Sequence, residues 1–271
     1  MNFLELLEYI ILGIIQGFTE PIPVSSSGHV MIFNELLTTN IDVGLLAILT
    51  NFGSLIAICY LYRERIITLF KDFFSHLKNK NKETYNNYRY ALYIIIATIP
   101  AGIMGLIVTK LGIFTVLEEN IKFVGITLLI TAGFLFLIRN IKGKKGNNDI
   151  TFKDALIVGL FQMVALVPGI SRSGSTIVGG MVRNLKRETA FDFSFLLYIP
   201  ISIATTLLGV TDLLTSNLNL TTIIYYLIAT LIAGIVTYFA TKWFKDIVTK
   251  GKLIYFVIYC LIAGTLVVLF L

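Results

Sequence analysis

The chain has 271 residues, 56% of them hydrophobic and only 14% charged, against roughly 25% charged in soluble domains. Several apolar runs approach the ~20 residues needed to cross a bilayer, which excludes a soluble globular domain; they are continuous rather than alternating, which excludes a β-barrel. The net charge of +6 sits in short loops between those runs, the positive-inside bias of a membrane protein rather than the footprint of a nucleic-acid partner.

The predicted fold is all-α and polytopic. Residues 2–20 are helical in pattern but carry Glu5, Glu8, Gln16 and Glu20, and Pro21 and Pro23 then break the helix. The N-terminus lacks a basic region and a cleavage site, so no removable signal peptide is expected. A short helix follows to about residue 37. Neither piece spans comfortably, so residues 2–37 predict a re-entrant hairpin with its tip at Pro21–Ser27. Irregular backbone at membrane depth persists only where protein or a wet cavity surrounds it.

Spans are predicted at 42–62, 90–111 and 121–139. Segment 63–89 is polar and basic, with a surface loop at Lys78–Glu83, and His76 reads as a solvated loop residue. The glycine- and lysine-rich connector 142–150 separates a first half (1–141) from a second (151–271). The second half predicts a re-entrant hairpin at 151–184 and spans at 191–213, 221–243 and 252–271. Cys59 and Cys260 lie inside apolar runs and read as small buried hydrophobes. Asp192 and Asp212 flank a span and read as interfacial.

The halves repeat. A shift of 146 positions superimposes Gly13 on Gly159, Gln16 on Gln162, Ser25 on Ser171, Ser27 on Ser173 and Gly28 on Gly174. Later, Ile96-Ala97-Thr98 matches Ile228-Ala229-Thr230. Each half is five helices, a re-entrant hairpin plus three spans, so the second half enters the membrane inverted. Loop charge agrees. Residues 1–62 contain no Lys or Arg, 63–89 is basic, 112–120 carries Glu118 and Glu119, the connector is basic, and 242–252 holds four lysines. The hairpins therefore enter from opposite faces, in the inverted-repeat plan seen in transporters.

The two tips carry the chemistry. Gln16 and Glu20 share a helix face. Ser25, Ser26 and Ser27 precede a helix, where hydroxyls cap free N–H groups. His29 can reach back to Ser25 or Ser26, and a hydroxyl beside an imidazole is the minimal unit for nucleophilic attack or proton shuttling. In the second tip, Ser171, Ser173, Gly174 and Thr176 open a helix whose N-terminus suits an anion. Arg172 adds a permanent charge and a fork matched to phosphate. Glu20 is also a hard oxygen ligand for a divalent cation, Mg or Ca, that would bridge to phosphate. The competing structural readings are serines as caps alone, His29 as a satisfied core histidine, Arg172 as counter-ion to Glu20, and Gln162 as a packing residue.

Gln16-x-x-x-Glu20, Pro23-Val24-Ser25-Ser26-Ser27-Gly28-His29 and Pro168-Gly169-Ile170-Ser171-Arg172-Ser173-Gly174-Ser175-Thr176 resemble the signatures of the undecaprenyl-diphosphate phosphatase family, linked to bacitracin resistance. The resemblance covers essentially the whole chain. It implies removal of the terminal phosphate from a C55 isoprenoid diphosphate, which recycles the cell-wall lipid carrier at the outer side of the cytoplasmic membrane. It maps the family's acid, serine, histidine and arginine onto Glu20, the Ser25–Ser27 run, His29 and Arg172. Relatives often carry threonine where Ser27 stands, and Gln or His where Asn51 stands.

The resulting expectation makes Glu20, Ser26, His29 and Arg172 catalytic, with Glu20 also on any metal. Gln16, Ser25, Ser27, Ser171, Ser173, Gly174 and Thr176 bind substrate. The nucleophile is a serine or a water. The partners are the polyprenyl diphosphate and membrane lipids, and a homodimer is left open. The rival function is a lipid-phosphate flippase or anion transporter, which the same repeat and binding residues would serve.

Overall fold

The structure is a computed structural model that describes residues 3–37, 39, 41–112, 120–215 and 218–271, with the backbone alone for 210–215. Among these residues it is all-helical. Helices α1 (Phe3–Thr19) and α2 (Ser26–Leu37) are followed by α3 (Val43–Leu61), α4 (Arg63–Asn79), α5 (Lys82–Lys110) and α6 (Ile121–Ile138). A 3₁₀ turn, Asn147–Asp149, lies in the connector. Then come α7 (Phe152–Val164), α8 (Arg172–Val182), α9 (Arg187–Thr215), α10 (Leu220–Thr249) and α11 (Ile254–Phe270). The predicted-loop residues Glu118 and Glu119 and the side chain of Asp212 fall outside the described residues.

Local sequence starts and stops these helices. Side chains of Asp42, Asn120, Thr151, Ser171 and Asn219 accept hydrogen bonds from backbone N–H groups in the first turns of α3, α6, α7, α8 and α10, each such cap contributing ~1 kcal/mol. Pro21 and Pro23 follow α1 directly and cannot continue it. Five helices, α3, α5, α6, α9 and α10, are long and apolar enough to cross a membrane. The sixth expected span, α11, has 17 residues, about 25 Å at 1.5 Å per residue, somewhat short of a ~30 Å hydrocarbon core. Ile99, Ile103, Leu207, Leu231 and Leu266 lie exposed on the outward faces. Apolar patches of that extent mark a lipid-facing surface, and the chain is an integral membrane protein.

Segment 63–89 corrects the reading of a polar loop. It is a helical hairpin of α4 and the start of α5, turned by Lys80 in the left-handed conformation (φ 51°). Asn87 donates to Asp72 at 2.6 Å and accepts from Arg65 at 2.9 Å, tying the two helices together. His76 stacks on Tyr88 with ring centroids 4.6 Å apart and contacts Thr84 Oγ1 at 3.1 Å, so it belongs to this hairpin rather than to solvent. Apolar residues at 66, 69, 70, 73, 74 and 77 carry the helical period. The interspersed charges obscure it.

The halves meet through small residues. A Cβ on Gly13 or Gly17 of α1 would strike the backbone of Ala229 or Ala233 of α10, and one on Gly159 of α7 would strike the backbone of Ala97 of α5. Helices α6 and α11 approach at Gly125 and Gly264. Such contacts let backbones come close where lipid gives no hydrophobic drive between helices.

The basic segments gather on one face. Arg89 donates to Ile150 O at 2.9 Å and Arg187 to Ile141 O and Arg139 O at 3.0 Å each. Lys245 and the Tyr62 hydroxyl both donate to Asp192 at 2.8 Å. Asp154, fully buried, accepts from Lys145 at 2.9 Å, Arg183 at 2.8 Å and Thr151 N–H at 3.0 Å. At the other end of α3, Ser27, Asn34, Val43 and Ile121 line a cleft of about 190 Å³.

Candidate active site

The site forms where the two broken helices touch. The α1 helix ends at Thr19, and the turn through Pro21 to Val24 carries Glu20 toward the start of α8. Its carboxylate is met from three sides. Oε2 accepts from Gln16 Nε2 at 2.9 Å and from Ser26 Oγ at 2.5 Å, and Oε1 accepts from Arg172 Nη2 at 2.5 Å. The side chains of Glu20 and Arg172 are 9% and 19% exposed, so the pair is largely desolvated yet reachable from one side. The expected structural role of Arg172, counter-ion to Glu20, and a substrate-binding role are compatible in this geometry, because the guanidinium has further donors to offer.

Arg172 is itself supported. Its guanidinium lies 3.9 Å over the Tyr198 ring, and the Tyr198 hydroxyl donates to Asn51 Oδ1 at 2.7 Å. Neither Tyr198 nor its use of Asn51 was expected from sequence; an aromatic in an apolar span carries no local signal. The second tip is pinned to the first by Ser173, whose hydroxyl donates to Ile22 O at 3.1 Å. Ser171 caps α8 by accepting from Gly174 N–H at 3.1 Å. Thr176 donates to Arg172 O at 3.0 Å and pairs with Ser194 Oγ at 2.5 Å. A Cβ on Gly174 would press on Ser171 and Pro23, so glycine keeps the tips in contact. Gln162, the second-half counterpart of Gln16, is buried with neither amide atom paired.

Other predicted residues stand apart from this cluster. Ser25 is buried in the left-handed conformation (φ 68°), its hydroxyl accepting from Gly28 N–H at 3.3 Å. Ser27 is exposed and lines the cleft beside Asn34. His29 is buried, but neither ring nitrogen bonds to a serine hydroxyl. Nδ1 lies 2.8 Å from Ser25 O and Nε2 lies 2.6 Å from the Tyr259 hydroxyl. The Ser26 hydroxyl donates to Glu20, not to His29.

Among the described residues no three His, Cys, Asp or Glu side chains gather. A divalent cation would therefore rest on Glu20 and on Gln16 Oε1, a buried oxygen without a partner. Two hard oxygens suit a cation that a phosphate substrate completes.

Fold and site together define a polytopic helical membrane protein with an acid, a hydroxyl and a guanidinium held between two broken helices. That combination suits an anionic headgroup on a lipid. Residues 9–266 match the family model "Bacitracin resistance protein BacA", and the chain belongs to that family. It is 46% identical to undecaprenyl-diphosphatase 1 of Bacillus licheniformis over all of both chains. It is 45% identical to undecaprenyl-diphosphatase 2 of Bacillus thuringiensis (100% of this chain, 99% of that one). It is 43% identical to the undecaprenyl-diphosphatase of Oceanobacillus iheyensis (100% and 98%).

Proposed function

We propose that this chain is an undecaprenyl-diphosphatase, hydrolysing undecaprenyl diphosphate to undecaprenyl phosphate and inorganic phosphate. Family membership and the full-length relatives support the reaction. The observation that ties it to residues is the contact of Gln16, Ser26 and Arg172 on the one Glu20 carboxylate.

The terminal phosphate docks on Arg172 and the free N–H groups at the start of α8, which also offset the charge spread over its oxygens during transfer. As Ser26 Oγ attacks phosphorus, its proton passes along the 2.5 Å hydrogen bond to Glu20. The bond from phosphorus to the bridging oxygen breaks, and undecaprenyl phosphate leaves. Glu20 gives that proton to the departing undecaprenyl phosphate. Water then attacks the phosphoserine, its proton passes through Glu20 to Ser26 Oγ as the P–Oγ bond breaks, and inorganic phosphate leaves. If water attacks first, Glu20 and Ser26 orient it instead. When bound, a cation on Glu20 and Gln16 neutralises phosphate charge.

The finer architecture belongs to the same reading. The halves 1–141 and 151–271 form an inverted repeat, and the paired contacts Gly13–Ala229 and Gly159–Ala97 support it, because each is the other's counterpart under the repeat. The hairpins α1–α2 and α7–α8 are re-entrant. In the cytoplasmic membrane the basic face lies inside. The cleft at Ser27, next in sequence to Ser26, lies on the opposite face, which supports a site that opens outward. A homodimer remains compatible with this arrangement.

The test is phosphate release from farnesyl diphosphate by purified protein in detergent. Wild type releases phosphate and Arg172→Ala loses about a thousandfold or more. Release near wild type in the folded variant overturns the assignment of Arg172. No release by wild type favours the flippase or anion carrier.

A further inference from the structure

We propose that Tyr259 of α11 is a positioning residue that fixes His29, whose Nδ1 in turn holds the Ser25 carbonyl next to the proposed nucleophile Ser26. This rests on the proposed reaction at Ser26. The ring is oriented from both ends. A carbonyl oxygen only accepts, so the 2.8 Å contact with Ser25 O requires the proton on Nδ1. In the neutral ring Nε2 then carries the lone pair and accepts from the Tyr259 hydroxyl at 2.6 Å. The two rings stack with centroids 5.5 Å apart and planes inclined by 17°.

The chain commits unusual backbone to this arrangement. Ser25 is one of only three non-glycine residues with positive φ among the described residues, and its carbonyl receives both the His29 backbone N–H and Nδ1. Strain of this kind persists where the surroundings impose it, often at a functional site. At the other end, His29 and Tyr259 close an apolar furrow of about 280 Å³ lined by Phe33, Leu36, Leu266 and Phe270. Among the described residues that line the furrow, the tyrosine hydroxyl is the polar group that meets Nε2. Tyr259 therefore fixes the imidazole at one end while the Ser25 carbonyl fixes it at the other.

Tyr259→Phe separates this role from packing, because it keeps the ring stack and the furrow wall and deletes only the hydroxyl. Loss of one such hydrogen bond in the reacting state corresponds to about a tenfold fall in kcat. KM should stay within about twofold, since no contact to the diphosphate is removed. A spectroscopic readout accompanies the kinetics. The protein has two histidines, so His76→Gln leaves His29 as the single ¹⁵N-histidine signal. In that background wild-type Tyr259 should give a protonated Nδ1 and an unprotonated, hydrogen-bonded Nε2, and Tyr259→Phe should move the Nε2 resonance as its donor disappears. Unchanged kcat with an unmoved Nε2 signal in Tyr259→Phe overturns the proposal, as does an unprotonated Nδ1 in the wild-type ring. His29→Asn separates the two readings. Wild-type kcat in that variant removes His29 from the support of Ser26, whereas a large loss there with a silent Tyr259→Phe removes only Tyr259.

Discussion

Glu20→Gln is the most informative single change, because it removes a charge while keeping the volume. The carboxylate accepts three hydrogen bonds, from Gln16, Ser26 and Arg172. A carboxamide has one acceptor oxygen and turns its NH₂ toward at least one of the former donors. One charge-assisted bond is lost, ~1.5–3 kcal/mol, and the hydroxyl of Ser26 loses its base, a factor of roughly 10²–10⁴. These terms overlap, since the bond from Ser26 is also the path of the proton. A fall in kcat of about a thousandfold, ~4 kcal/mol, is the combined expectation. KM should not rise. Arg172, released from its 2.5 Å pairing, becomes more available to the phosphate, so KM should hold or fall. The assay is phosphate release over a range of substrate concentrations, alongside a thermal unfolding scan to show that the variant folds. A variant that keeps more than about a tenth of wild-type kcat would refute Glu20 as the base. A large rise in KM with little change in kcat would show instead that Glu20 serves only to bind.

Three further outcomes follow from neighbouring contacts. Tyr198→Phe deletes the hydroxyl on Asn51 but keeps the ring under Arg172, so phosphate release should fall only about three- to tenfold, while Tyr198→Leu, which also removes the cation–π contact worth ~0.5–2 kcal/mol, should fall further. Gly17→Leu in α1 would drive a side chain into the backbone of Ala233; it should lower the unfolding temperature or the yield of folded protein, whereas Gly102→Ala, which has open space for a Cβ, should leave both unchanged. Asp154 lies on the basic face at the start of α7: burial alone would raise its carboxyl, but hydrogen bonds from Lys145, Thr151 and Arg183 hold it below the ordinary carboxylate range. A depressed folded value means that its contribution is complete above the unfolded pKa of ~3.9 and is lost as pH falls through the folded value; Asp154→Asn should thus cost ~3–5 kcal/mol at neutral pH, with the gap to wild type narrowing under acid, as measured by denaturation at several pH values.

What the sequence made legible is governed by distance along the chain. Helix ends were readable because their causes are local: Asp42, Thr151 and Ser171 cap within three residues, and Pro21 and Pro23 act where they stand. The all-helical membrane plan was readable from the long apolar runs. Helix α4 was missed because its charges hid its apolar period. The pairings of Tyr198 with Asn51 and of Tyr259 with His29 were not readable, because they join positions 147 and 230 residues apart. One pairing was present in the repeat all along. The shift of 146 that aligns Ser25 with Ser171 also sets Ser26 on Arg172 and Glu20 on Leu166. Under the proposed inverted repeat, residues at equivalent places face each other where the halves meet; Ser26 and Arg172 meet across Glu20, one on each carboxylate oxygen. On the proposed mechanism, a hydroxyl and a guanidinium on these positions, with a carboxylate on one side only, give the site a nucleophile end and an anion-binding end. A symmetric pair of tips, with two acids or two arginines, would have repelled itself or the phosphate. On the proposed repeat, the difference at these two pairs of positions is what gives a doubled hairpin a site with a direction.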